Sequence, residues 1–173
     1  MNISLIEWPN EADWMEAKKR ALVTAGLKPV TAPSENWKKD SLRARHSHIR
    51  RLRFSFHFED IPSWVSVHFC RHVHAQPYIK SQRNDRQTDY DRNTAPQNAP
   101  VNMILDMNAE ELMVMANKRL CNQASKETRE AMQIMCSLVI EKCPEFRPFL
   151  VPMCEWRGGL CPEMKSCGKC VVG

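Results

Sequence analysis

Several arginines stand where an ordinary core or loop would carry a neutral side chain, and they keep company with histidine, serine and asparagine. Arg71 and His72 close an apolar run containing Trp64, Val65, Val67 and Phe69, and Ser81-Gln82-Arg83 follows after a short gap. A guanidinium at the end of an apolar helix needs a partner, because an unpaired buried charge is costly. A phosphate or a carboxylate supplies one; where the carboxylate is the protein's own, the arginine belongs to a structural ion pair instead. Arg92 sits in the next polar stretch. Arg119 follows Asn108 by about three helical turns, so the two can face the same side. Planar, bidentate donors of this kind suit phosphate and carboxylate recognition.

The elements that must position these residues are readable from periodicity. Ile3 to Trp8 alternates like a short strand, Asn10 caps a helix from about Glu11 to Ala25, and Gly26 stops it. Residues 28 to 34 form a connector with Pro29 and Pro33, and Glu35 to about Arg45 forms a polar, basic helix. Phe54, Phe56 and Phe58 recur with period two, which predicts a strand with one buried aromatic face. Asp60 is the expected cap of the next helix, with Pro62 in its first turn and no breaker before Pro77. Residues 81 to 100 read as a long polar loop, of the kind that inside a compact domain is functional or disordered. Val101 to Asp106 predicts another strand, and Asn108 with Glu111 predicts a capping box at the head of a helix that reaches Arg119. A last long helix runs from about Ser125 to Lys142, with Met132, Met135, Cys136 and Val139 on its apolar stripe.

Composition bounds the function. The 173 residues are 43% hydrophobic, enough for one domain with a real core. The expected division is a single α+β domain over residues 1–150 and a cysteine-rich tail over 151–173. No apolar run approaches the roughly 20 residues of a membrane span, and no signal-like start is visible, so the expected location is cytoplasmic. The net charge of +5 has much of its excess between Arg43 and Arg92, which favours an anionic ligand or a solvated basic surface.

Eight cysteines are present, and four of them, Cys154, Cys161, Cys167 and Cys170, crowd the last twenty residues. Without a secretion signal they read as free thiols, a zinc site built around the final C-x-x-C, or a redox pair.

Taken in order, these segments resemble the flavin-dependent thymidylate synthase family, ThyX. Its signature reads R-H-R-x-x-S-x-N-E-x-S-x-R, and Arg71, His72, Ser81 and Arg83 match its first, second, eleventh and thirteenth positions. Phe54-Ser55-Phe56-His57 is similar to the F-T-F segment that precedes the signature helix. Asn108, Ala109 and Leu112 resemble the family's N-A-R-x-L element, and Arg119, Ala124, Glu127 and Arg129 the R-x-x-x-x-A-Q-x-E-I-R that follows. The departures are Val73 for the third arginine, Gln76 for the serine, Tyr78-Ile79 for the Asn-Glu pair and Ser125 for the later glutamine. The resemblance covers roughly residues 45 to 150.

The resemblance implies an antiparallel sheet packed with helices, a homotetramer with its sites between subunits, and reductive methylation of dUMP to dTMP. Methylenetetrahydrofolate would donate the methylene, and FAD, reduced by NADPH, the hydride. It implies Arg71, His72, Asn108 and Ala109 at the flavin; Arg71, Ser81, Gln82, Arg83, Arg92 and Arg119 at the nucleotide; and Arg119 as the catalytic group that favours the anionic uracil ring. His46 and His48 precede the aromatic strand where the family places a Glu-His pair near the flavin, with Arg45 in place of the glutamate; His46 or Ser47 then serves the flavin, or the stretch is plain basic surface. Val73 removes one expected flavin contact and Ile79 one expected nucleotide contact. Two other readings stand beside this one: a divergent relative that binds flavin or nucleotide but acts on another pyrimidine, and a nucleic-acid-binding module using Arg43, Arg45, Arg50, Arg51 and Arg53.

Overall fold

Alternation of large apolar and polar residues lets two long strands bury one face each, and the sheet is built around them. The computed structural model describes residues 1–29, 31–86 and 90–172, without the side chains of 171 and 172. Residue 30 of the expected connector and residues 87–89 of the expected loop lie outside the described residues. Strand β1 (Asn2–Glu7) pairs antiparallel with β2 (Arg53–Pro62), β2 with β4 (Pro100–Asn108), and β4 with β3 (Gln76–Ile79), giving the order β1-β2-β4-β3. Phe54, Phe56 and Phe58 are all buried, and Val101, Met103, Leu105 and Met107 of β4 share their face. Each such side chain contributes about 1.5–3 kcal/mol on leaving water.

Helices α1 (Glu11–Val23), α2 (Glu35–Ala44), α3 (Ser63–Cys70), α4 (Ala109–Arg119) and α5 (Lys126–Lys142) supply the rest of the core. Asn10 caps α1 in a complete capping box with Asp13, and Ser125 caps α5. The apolar stripe of α5 is buried as its spacing predicts. The tail adds α6 (Met153–Trp156) and a two-stranded parallel pair, β5 (Leu160–Cys161) with β6 (Val171–Val172). It is tied to α4 by Asn117 Nδ2 donating to the Val151 carbonyl at 2.7 Å.

Three local expectations are corrected. Asp60 does not cap α3: β2 continues to Pro62 through an irregularity between Phe58 and Ile61, where Asp60 adopts φ +53° and its N–H donates to Asn102 Oδ1. The run before Pro77 does not stay helical, because α3 ends at Cys70 and Gln76–Ile79 joins the sheet as its edge strand. The capping box at Asn108 is half made: Asn108 Oδ1 accepts from the Glu111 N–H, but the Glu111 carboxylate turns elsewhere.

Truncating the central aromatic of β2 tests this core. Phe56→Ala should cost about 3–5 kcal/mol, read from urea unfolding. A loss below 1 kcal/mol would show that the face is not packed as described.

Candidate functional site

The end of α3 and the end of α4 meet, and both carry cations. Arg71 is the C-cap of α3 and Arg119 the last residue of α4. The Arg119 Nη2 donates to the His68 carbonyl at 2.6 Å, one of the carbonyls that a helix end leaves without an intrahelical partner. Its Nε donates to His72 Nε2 at 3.0 Å. His72 is buried, and its Nδ1 lies 2.9 Å from Glu111 Oε1. His68 Nδ1 sits 2.7 Å from Thr128 Oγ1, and its ring packs edge-on against Trp64. Helices α3, α4 and α5 and the turn after α3 thus contribute to one polar cluster.

Its charge is not balanced. Burial first, and then the neighbouring Arg71, pull the Arg119 guanidinium below its ordinary pKa. Burial, then Arg119 and Arg71, hold His68 below the usual histidine range. Among the described residues neither Arg71 nor Arg119 forms an ion pair with a carboxylate, while twelve pairs between other lysines or arginines and carboxylates do form. The structural ion pair weighed for Arg71 is therefore not seen among those residues. Two of the five N–H groups of Arg119 are engaged, so three remain to bind something else.

The other expected ligands are placed differently. Arg83 is exposed and bidentate to Asp85 at 2.6 and 2.9 Å, and its backbone N–H meets Ser81 Oγ. Asn84 staples that segment across to Asp91 and to the backbone N–H of Arg92. Ser81 and Gln82 are half-buried, and Arg92 is exposed. Asn108 spends its side-chain oxygen on the α4 cap; Ala109 is wholly buried, with its N–H on the Leu52 carbonyl. Glu111 and His68 were not singled out by the sequence as ligands. The available signals were an acid three residues after the cap Asn108, where it looked like part of the capping box, and a histidine one turn before His72.

The basic stretch is largely used up within the chain. Arg43 pairs with Asp40, Arg50 with Glu110 and Arg51 with Asp13. Arg45 bonds Asn117 and lies 4.3 Å over the Trp156 ring, half-buried, with its Nε unsatisfied. These contacts remove most of the free cations that a nucleic-acid face would need. His46 and Ser47 border a surface cavity of about 380 Å³ with Arg20 and His48, and His46, His48 and Trp37 form a stack.

The tail cysteines Cys154, Cys161, Cys167 and Cys170, with Cys121, line a small cavity of about 20 Å³. All eight cysteines are unpaired thiols, and among the described residues no group of three or more His, Cys, Asp or Glu is arranged to hold a metal ion. The zinc site expected from their spacing thus has no support in the geometry. A hydrogen bond with Cys154 comes first among the causes that push Cys170 up to about 11.

Comparison with known proteins meets this geometry from outside. The family model described as thymidylate synthase complementing protein matches residues 87–145, which include Arg92, Asn108, Ala109 and Arg119. Crystal structures of ThyX from Helicobacter pylori with FAD and dUMP superpose with TM-scores of 0.64 and 0.65 at 13% and 14% identity. They span 80% and 82% of this chain and 93% and 95% of theirs. The fold is that of ThyX. The family model covers about a third of the chain, and at this identity the structural likeness is one of fold. No curated protein matches by sequence. The matched residues begin after the signature segment, where every departure but Ser125 lies: Val73 is 88% exposed, and Tyr78 and Ile79 are exposed on β3. No helix among the described residues is long and apolar enough to cross a membrane.

Two outcomes follow. Burial, helped by His46, also lowers His48, so both histidines take up a proton less readily folded than unfolded. Stability should therefore fall as pH drops below about 6.5, where the unfolded chain protonates first. The Tm measured from pH 7.5 to 5.5 should decline, and a rising Tm would contradict the burial of these rings. Burial pushes the Cys136 and Cys143 thiols up to about 12. Brief alkylation at neutral pH, read by peptide mass spectrometry, should spare both and label exposed Cys167; equal labelling would contradict it.

Proposed function

We propose that the chain is a flavin-dependent thymidylate synthase, a cytoplasmic enzyme converting dUMP to dTMP with methylenetetrahydrofolate as carbon donor and NADPH as reductant. The observation that carries this reading is the pair Arg71 and Arg119, adjacent cations that find no carboxylate among the described residues, in a fold shared with proteins solved with FAD and dUMP. A guanidinium fixed by two protein contacts and still holding free donors suits a ring that must carry negative charge as it reacts. When bound, FAD supplies the hydride; the chain supplies orientation and charge.

In this reading Arg119 faces the uracil ring and Arg71 the flavin or the adjoining nucleotide. Ser81, Gln82, Arg83 and Arg92 take the nucleotide near its phosphate, Arg83 exchanging Asp85 for the ligand. Asn108 and Ala109 shape the wall at the head of α4. The arginine groups come from separate segments, and the outer sheet face carries exposed Tyr78 and Ile104. The separate segments, and this exposed Tyr78 and Ile104 pair, support a homotetramer whose subunits complete one another's sites.

A second reading has its own observation. Val73, Tyr78 and Ile79 replace signature residues on exposed positions, as in a relative that keeps the ligands and acts on another pyrimidine.

Purified protein should show a flavin absorption band and form dTMP from dUMP. Arg119→Ala should lower turnover by about 10²–10³-fold with unchanged circular dichroism; undiminished activity would remove Arg119 from the mechanism. Bound flavin without dTMP would favour the second reading, and colourless, inactive protein that does not take up FAD would defeat both.

A further inference from the structure

Glu111 is the third residue of α4 and is buried, an expensive place for a carboxylate that has no strong partner. Its Oε1 lies 2.9 Å from His72 Nδ1. On the other side of the same ring, His72 Nε2 receives the Nε–H of Arg119 at 3.0 Å. Arginine Nε always carries its hydrogen, so Nε2 of His72 must present a lone pair. The single proton of the neutral ring then sits on Nδ1 and is donated to Glu111. The alternative tautomer would bring two N–H groups face to face, and it would leave the buried Glu111 carboxylate without a donor.

We infer that Glu111 is a positioning residue: by fixing the tautomer of His72 it locks the Arg119 guanidinium in the orientation that leaves three N–H groups free for an anionic ligand. The identity of that ligand as dUMP rests on the proposed function; the orientation does not. The chain of donors runs one way, from Arg119 through His72 to Glu111, and the His68 carbonyl fixes a second edge of the guanidinium. The neighbouring acid, Glu110, is engaged with Arg50 and does not compete. The cap at Asn108 needs only the backbone N–H of Glu111, so its carboxylate is free for this task. A buried carboxylate that holds an imidazole in one tautomer has a known precedent in serine proteases, where losing the correct tautomer is highly damaging although the geometry survives.

The test is nitrogen NMR of the full chain with labelled histidine and arginine, on the wild type, Glu111→Gln and Glu111→Ala. The wild type should show His72 protonated at Nδ1 and bare at Nε2, with a sharp, exchange-protected Arg119 Nε–H signal. Glu111→Gln keeps an acceptor and should keep both signatures. Glu111→Ala should lose the single tautomer, broaden the Arg119 signal and weaken dUMP binding by about 10–100-fold, a pattern that a merely structural role, lost equally in both variants, would not give. A wild-type His72 protonated at Nε2, needing no variant to observe, would overturn the inference. So would an alanine variant that keeps both signatures and full affinity. Wild-type protein with the expected signatures but no dUMP binding would count against the proposed substrate while supporting the positioning role.

Discussion

The polar cluster between α3 and α4 is organised around one constraint: Arg119, half-withdrawn from water beside a second arginine, has to be held without being neutralised. A carboxylate on the guanidinium would be the simple solution, and it would also fill the donors. The chain instead uses acceptors that leave the net charge in place, a helix-end carbonyl and a neutral imidazole. The negative charge of Glu111 is kept one ring away. The negative ends of the α3 and α4 backbones further offset the two cations. The result is a fixed, electron-poor edge, which is what an anionic or electron-rich planar ligand requires.

The sheet and its helices serve that arrangement. Burial of the aromatic face of β2 against α3, where Phe58 meets Phe69, fixes the place of α3, and the direct passage from β4 into α4 sets where α4 begins. Asn108 stands at that junction, pairing as the last residue of β4 and capping α4 in the same step. Because α4 is eleven residues long, its end reaches the end of α3. A change of one residue in its length would rotate Arg119 by about 100° away from His72.

Much of this was legible in the residues. Period-two phenylalanines, the Asn10 cap and the α5 stripe are local signals, and local signals survive folding. Edge strand β3 was not legible, because four residues containing Pro77 give no alternation to read and the pairing with β4 is non-local. Asp60 misled because it is a good capping type in the right place, whereas a bulge placed it at positive φ instead. At the site, the family resemblance marked Arg71, His72 and Arg119 together, and the structure joins them. It could not show that His72 has both nitrogens occupied by the protein, or that Glu111 is the reason. That is a three-dimensional fact, carried by side-chain direction rather than by sequence distance. Arg83 and Arg92 lie on a loop stapled by Asn84, and their relation to Arg119 depends on chains beyond one subunit in the proposed assembly.

The most direct measurement is an experimentally determined structure of the protein with FAD and dUMP bound. The account predicts the free N–H groups of Arg119 on the pyrimidine, with its Nε still on His72. A protein carboxylate, from this chain or a neighbouring one, occupying those donors while the nucleotide lies elsewhere would contradict it.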